Sequence, residues 1–346
     1  MNKSIFKFEK NSFDILRCVS ALSVMFLHYT YYAITLSEEK IEFLRVIRRV
    51  TEFLPGVVIL FSLSGFLISA SFERCKSRKE FFVKRVFRLY PELWICTLVN
   101  LFVIVVQARE YLDKSIIIWL VTQVVGIANT PSCLDNFATG SINGALWTIF
   151  TEVQLYIFLG IMYPRIRKLK KTGWGFLLSA SALINLLCNY VANSMGGIIS
   201  KIIERTFLPY LIWFLIGIFC YCEREKIIPI LKKYLWILII IFGVNQIFGV
   251  FEYGYYEDIV TSITLPFITI GLAYVLPSVR IKCDLSYGIF LYHWIVLNVM
   301  VSMDMFASVS WYVCGIIFVI FTIVLAWGSW YFVGTRTGKI INKMIR

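Results

Sequence analysis

Only two histidines occur in the chain, His28 and His293, and both lie inside apolar stretches where a titratable side chain is costly. An imidazole in such a place offers a proton acceptor that works near neutral pH. Arg17 stands eleven residues before His28 in FDILRCVSALSVMFLHYTYYAITL, residues 13–36. At about 100° per residue that spacing is three turns plus roughly 20°, so on a helix both side chains share one stripe. The rise between them is about 16 Å, which sets Arg17 near one edge of an apolar layer and His28 in its far half. Asp14, Ala21 and Val24 fall on the same stripe. Charge within a bilayer costs about 2.5–3.5 kcal/mol per residue by insertion scales, and such residues turn toward protein or a wet cavity. The stripe is therefore expected to face inward. Asp14 and Arg17 also suit a plainer role as anchors that snorkel to the membrane surface, and His28 that of a buried structural histidine. Glu152 is a lone acid about 10 Å into the apolar run 145–163. It is expected either to serve a reaction or to pair with an arginine. His293 lies about 12 Å into the run 285–303 and by itself reads as a structural histidine bonded to a neighbouring helix.

Residues of this kind can be held at depth only by membrane helices, and the composition asks for them. The 346 residues are 59% hydrophobic and 16% charged, which excludes an ordinary soluble domain and predicts an all-α polytopic transmembrane bundle. The net charge of +13 does not point to nucleic acid, because the basic residues cluster in short gaps between apolar runs, as the positive-inside rule requires. Nine cysteines, scattered through those runs or lone in loops as at Cys75, Cys133 and Cys283, support neither a disulfide framework nor a metal site. Lys3, Lys7 and Lys10 before the first run imitate a signal peptide. The run is too long and has no small-residue cleavage site, so it is expected to stay as the first span.

Apolar runs predict helices near 13–36, 54–72, 86–108, 116–128, 145–163, 174–192, 207–222, 234–251, 259–276, 285–303 and 309–333. The basic gaps 73–88 and 164–173 are both expected on the inner side, and only two crossings fit between them. The short run 116–128 is then re-entrant or interfacial. The later gaps obey the same rule: 223–233 is basic, 252–258 has only acids, and the tail carries Arg336, Lys339, Lys343 and Arg346. The expectation is ten crossings, both termini cytoplasmic, and a single membrane domain over 1–346 with no soluble domain at either end and no internal repeat.

Five motifs give these elements a family likeness. Asp14-x-x-Arg17 followed by His28 is the first, with Ser20 where the pattern has Ala. FSLSGFLIS, carrying Ser64 and Gly65, is the second; Arg85-x-x-Arg88-x-x-Pro91 is the third. The fourth runs Trp147, Thr148, Ile149, Glu152, Gln154, Tyr156 and Pro164, with Val153 in place of a second acid and Leu155 in place of Phe. The fifth is Ser286, Tyr287, Tyr292 and His293. In this order, and spread over most of the chain, they resemble the acyltransferase-3 family of integral membrane O-acyltransferases, which modify bacterial surface glycans among other substrates. Gln123-Val-Val-Gly126-Ile-Ala128 also fits a pyrophosphate loop of soluble acetyltransferases. Such a loop needs a strand-to-helix turn, so the match is read as coincidence.

The resemblance implies a multi-pass protein of the bacterial inner membrane that moves an acyl group, acetyl or succinyl, from cytoplasmic acyl-CoA to a hydroxyl of a glycan or its lipid-linked precursor. Acyl-CoA is then a co-substrate, and no tightly bound cofactor or metal is implied. His28 is the expected base, Glu152 its orienting or charge-matching carboxylate, and Arg17 a partner for the donor or for Asp14. Arg85 and Arg88, one turn apart, suit the donor phosphates, although a topology anchor explains them on charge alone. Ser64 and Gly65 imply a close-packed neighbour for the first helix or a wall of a donor tunnel; Trp147, Tyr156, Tyr287 and His293 support. Direct transfer and a covalent acyl group on Ser64 or His28 both fit. A transporter or flippase for a glycan or small anion is the rival reading, but inverted repeats and broken helices in matching positions are not seen.

Overall fold

A computed structural model describes residues 11–37, 42–279 and 281–345. The basic flank Lys3, Lys7 and Lys10 lies outside the described residues, as do the Lys343 side chain and Arg346. Helix makes up 80% of the described residues, and no strand occurs among them. The helices are α1 (Phe13–Leu36), α2 (Glu42–Phe53), α3 (Gly56–Glu73), α4 (Arg78–Gln107), α5 (Ser115–Val124), α6 (Trp147–Ile166), α7 (Lys171–Met195) and α8 (Gly197–Glu204). They continue with α9 (Leu211–Cys222), α10 (Arg224–Phe248), α11 (Ile259–Val275), α12 (Ser286–Ser302), α13 (Met305–Ser308), α14 (Trp311–Ser329) and α15 (Thr335–Ile345). A π-helical turn, Trp330–Gly334, joins the last two.

Among the described residues, seven helical segments are long and apolar enough to cross a membrane. The helices α9, α11 and α12 are apolar but only 12, 17 and 17 residues long. α5, at ten residues, is about 15 Å long and cannot span. It stops at Gly126, whose φ of +83° favours glycine. There the Gln123 amide donates to the Ile127 carbonyl at 2.9 Å, so the apparent pyrophosphate loop is a helix end. Several helices run past their apolar runs into basic flanks: α4 begins at Arg78 and α10 at Arg224. Apolarity marks the membrane layer, whereas Lys and Arg are good helix formers that let the helix continue. α2 falls where the apolar runs leave a gap.

The chain packs as two compact units, Met1–Arg17 with Val57–Phe81 and Thr151–Lys282, and Cys18–Gly56 with Phe82–Phe150 and Cys283–Arg346. In the first, α9 is buried on every side, from Leu211 through Ile218. A Cβ at Gly65 of α3 would run into the Phe214 carbonyl of α9, and one at Gly217 into the Ser62 carbonyl. Small residues therefore let these two backbones touch. The serine-glycine stretch thus has α9 as its neighbour at Gly65 and α1 at Phe66, whose ring centre is 5.0 Å from that of Phe13; at Gly56, the start of α3, α1 is met again at Ser20. In the second unit, Ala21, Met25, Tyr29 and Ala33 of α1 form one core with Ile289, Leu297 and Met300 of α12 and Phe318 of α14. A Cβ at Gly288 would meet Ala326, which brings α12 and α14 together.

Candidate active site

α1 presents its stripe as expected. Ala21 and Val24 are buried at 1% and 4% exposure, while Val19 on the opposite face is 43% exposed; Tyr31, at the outer end of the stripe, is 47% exposed. In the first unit, Arg17 Nη2 lies 2.8 Å from Asp14 Oδ1, an ion pair one turn apart. Asp14 Oδ2 also accepts from the Ile281 amide at 3.4 Å.

In the second unit, His28 Nδ1 and His293 Nε2 are 2.9 Å apart. The two rings are nearly parallel, at 3°. This contact fixes the tautomers. His293 Nδ1 is 3.0 Å from the Ile289 carbonyl. A carbonyl only accepts, so Nδ1 of His293 carries the proton. With both rings neutral, His293 Nε2 is an acceptor, His28 Nδ1–H donates to it, and the lone pair of His28 is left on Nε2. His293 is fully buried. The sequence ranks it behind His28 and gives the orienting role to Glu152; the structure has an imidazole at Nδ1 of His28.

Trp294 stands edge-on to His28 with centroids 4.6 Å apart. Its indole N–H donates to Thr139 Oγ1 at 3.1 Å and the Ser141 carbonyl at 3.2 Å. One turn on, Asn298 donates to the Ser141 and Ile142 carbonyls and accepts from Thr139. The loop 129–144 is thus fastened to α12 over the histidine pair. Asn143 closes it: its side chain donates to the Leu291 carbonyl at 2.9 Å and accepts from the Ala145 amide. Trp147 then opens α6.

Glu152 belongs to the first unit. Ser64 Oγ donates to Glu152 Oε1 at 3.1 Å, and the Tyr156 hydroxyl, one turn along α6, donates to the same oxygen. A carboxylate holding two hydroxyls is a charged acceptor that aligns both.

Arg85 and Arg88 lie half-buried on α4. Arg88 Nη2 is 3.6 Å from Asp284 Oδ2 and its guanidinium is 5.8 Å from the Tyr287 ring centre. Tyr287 in turn donates to the Leu89 carbonyl at 2.9 Å. One residue escaped sequence reasoning here: Glu92, 5% exposed, accepts from Ser329 at 3.0 Å beside the π-helical turn. The signal was present, since an acid inside the run 86–108 meets the same rule that singled out Glu152. Trp294 and Asn298 gave no such signal, because a tryptophan or asparagine in an apolar run is ordinary packing. In the first unit Glu73 was also missed; it gathers the Tyr163 and Tyr221 hydroxyls and Arg167 at 2.9, 2.8 and 2.6 Å, tying the ends of α3, α6 and α9.

Comparison with known proteins follows the same pattern. The model of a family described as an acyltransferase domain matches residues 10–328. The chain is 25% identical to nodulation protein 10 of Rhizobium leguminosarum bv. viciae, over 97% of this chain and 95% of that protein. It is also 25% identical to an O-acetyl transferase of Shigella phage Sf6, over 85% and 86% of the two. No solved structure matches the chain.

Proposed function

The chain belongs to the acyltransferase-3 family and is an acyltransferase, and from that premise we propose that it moves an acyl group, acetyl in the first instance, from cytoplasmic acyl-CoA to a hydroxyl of a cell-surface glycan or its lipid-linked precursor. The observation that carries this reading is the histidine pair. Transfer to a hydroxyl needs a base, and His28 Nε2 is the nitrogen left with its lone pair. The acceptor hydroxyl gives its proton to His28 Nε2 while its oxygen attacks the thioester carbonyl carbon. The C–S bond then breaks, and the proton passes from His28 to the departing thiolate. His293 holds the ring in register and stabilises it while it carries two protons, as a buried partner does for a catalytic imidazole.

Arg85 and Arg88 suit the donor's phosphates, with Asp284 as the anion that Arg88 meets when none is bound. Arg17 with Asp14, and Glu152 with Ser64 and Tyr156, are assigned to the same reaction; Glu152→Gln, which keeps the size and removes the charge, should lower turnover by about tenfold or more. The topology that fits is a bacterial inner-membrane protein with ten crossings, seven long segments and the shorter α9, α11 and α12, with both ends in the cytoplasm. The phage relative is named an O-acetyl transferase, which supports acetyl as the group moved.

The test is transfer from radiolabelled acetyl-CoA by the purified full chain, with and without glycan-bearing lipid extract. The expected result is acceptor-dependent release of the label that His28→Ala abolishes while the protein keeps its helix content. Retained transfer in that variant removes His28 as base. Label never leaving CoA, in any condition, would instead favour a transporter.

A further inference from the structure

We propose that α2 is the recognition element for the acceptor's carrier: an interfacial helix whose arginines hold the phosphate of a lipid that bears the saccharide. This rests on the reading above that a glycan or its lipid-linked precursor is acylated.

α2 has three faces. Leu44 and Thr51 are buried, at 0% and 7% exposure. Phe43, Val46, Val50 and Phe53 form an arc of exposed apolar side chains. Arg45, Arg48 and Arg49, with Glu42 and Glu52, occupy the remaining arc. A helix with a buried seam, a bare apolar arc and a cationic arc lies in the plane of a membrane surface, its apolar side in the acyl chains and its cations among the headgroups. It is fastened there. Ser23 of α1 donates to the Leu54 carbonyl at 2.7 Å, and Phe43 packs on Trp311 with centroids 5.5 Å apart.

The sign of the charge is the unexpected part. On the topology proposed above α2 lies on the outer side, where 129–144 and 252–258 have no basic residue and the other outer gaps have only the scattered Arg109, Lys114, Lys201 and Arg205. A run of three arginines there runs against the positive-inside trend, so it is not explained by topology. Two of them are held by carboxylates: Arg45 by Glu42 at 2.6 Å and Arg48 by Glu52 at 2.7 Å. Exposed pairs of this kind contribute little and exchange readily for a phosphate.

The arc also points somewhere. The Arg48 guanidinium lies 5.3 Å from the Tyr31 ring centre. Tyr31 meets Tyr32 edge-on at 5.1 Å, Tyr32 meets Trp294 at 6.3 Å, and Trp294 meets His28 at 4.6 Å. Tyr31 stands one turn beyond His28 on α1 and is 47% exposed. A row of aromatic rings between a phosphate-binding arc and a base suits a saccharide, whose C–H faces stack on such rings while its hydroxyls reach onward. The ligand chemistry is therefore a phosphate-linked saccharide on a lipid, with anion, sugar and hydroxyl met in that order.

The experiment uses the full chain in detergent and a prenyl diphosphate, farnesyl diphosphate, as probe, with farnesol and inorganic diphosphate as the separated halves. Wild type should bind farnesyl diphosphate at least about tenfold more tightly than either half, because both arcs contribute. Replacing Arg45, Arg48 and Arg49 together by Gln should weaken farnesyl diphosphate on the order of a hundredfold, about fivefold for each basic group at a headgroup surface. The same variant should leave farnesol binding and helix content unchanged, and the triple Lys variant should restore most of the affinity. If the triple Gln variant does not fold, Arg49→Gln alone, an exposed position, should show the single fivefold step. Unchanged farnesyl diphosphate affinity in the variants, or inorganic diphosphate binding as tightly as the prenyl form, overturns the proposal. Neither arm uses acyl transfer: an inactive donor reaction would count against the acyltransfer reading alone, and failure of the wild-type chain to bind farnesyl diphosphate against this one alone.

Discussion

α12 and the part of α10 after Lys233 read alike in sequence, both apolar and both without a charged residue, yet they live in different surroundings. In α12 almost every residue from Ser286 to Met300 is buried, and its polar groups sit mid-helix, each with a partner: Tyr292 and His293, then Trp294 and Asn298 a turn apart. In α10 the buried residues are few, and Ile240, Ile241, Val244 and Ile247 stand 54%, 45%, 44% and 71% exposed. Its polar side chains lie toward its two ends, the charged ones up to Lys233 at the start and, at the other end, Asn245, which donates to Asp258, and Gln246, which donates to Thr261. Mean apolarity therefore does not separate a helix surrounded by protein from one facing lipid; the depth at which polar side chains occur does.

That contrast can be broken at graded strength. The largest effect should come where α12 meets α1: His28→Ala should cut acyl transfer by about 10²–10⁴-fold, read as label moved from acetyl-CoA. At His293, Ala should lower turnover by about 10–10²-fold, whereas Gln, whose side-chain carbonyl can accept from His28 Nδ1–H, should restore most of it. A merely structural His293 would give equal losses for both variants. Asn298→Ala, which removes the bonds to Thr139 and to the Ser141 and Ile142 carbonyls, should cost about 2 kcal/mol of stability, seen as a lower thermal midpoint in detergent. Asn245→Ala near the end of α10 should cost about 1 kcal/mol by the same measurement. Ile247→Ala on the exposed face should change stability by no more than about 0.5 kcal/mol. Equal costs at 247 and 298 would mean that the two helices do not differ as described.

Much of the site was legible from residue type and depth alone. His28 and Glu152 announce themselves because a titratable group in an apolar run is expensive, and Glu92 would have done so under the same rule; Arg85 and Arg88, by charge alone a topology anchor, stand out only by their one-turn spacing and the motif they share. α2 was not legible as apolar sequence, since its face pattern, not its mean hydropathy, makes it a helix. Trp294 and Asn298 were silent because their importance lies in what they fasten, the loop 129–144.

By itself the sequence determined a helical membrane protein with a continuous α1 whose stripe turns inward, because periodicity and transfer cost are local properties that a linear reading can sum. Tertiary structure alone decided that the nitrogen of His28 faces His293, 265 positions along the chain, that Gly65 serves α9, and that Ser64 reaches Glu152. Each of these is a contact between helices, and no period within one helix encodes which neighbour will come to lie against it.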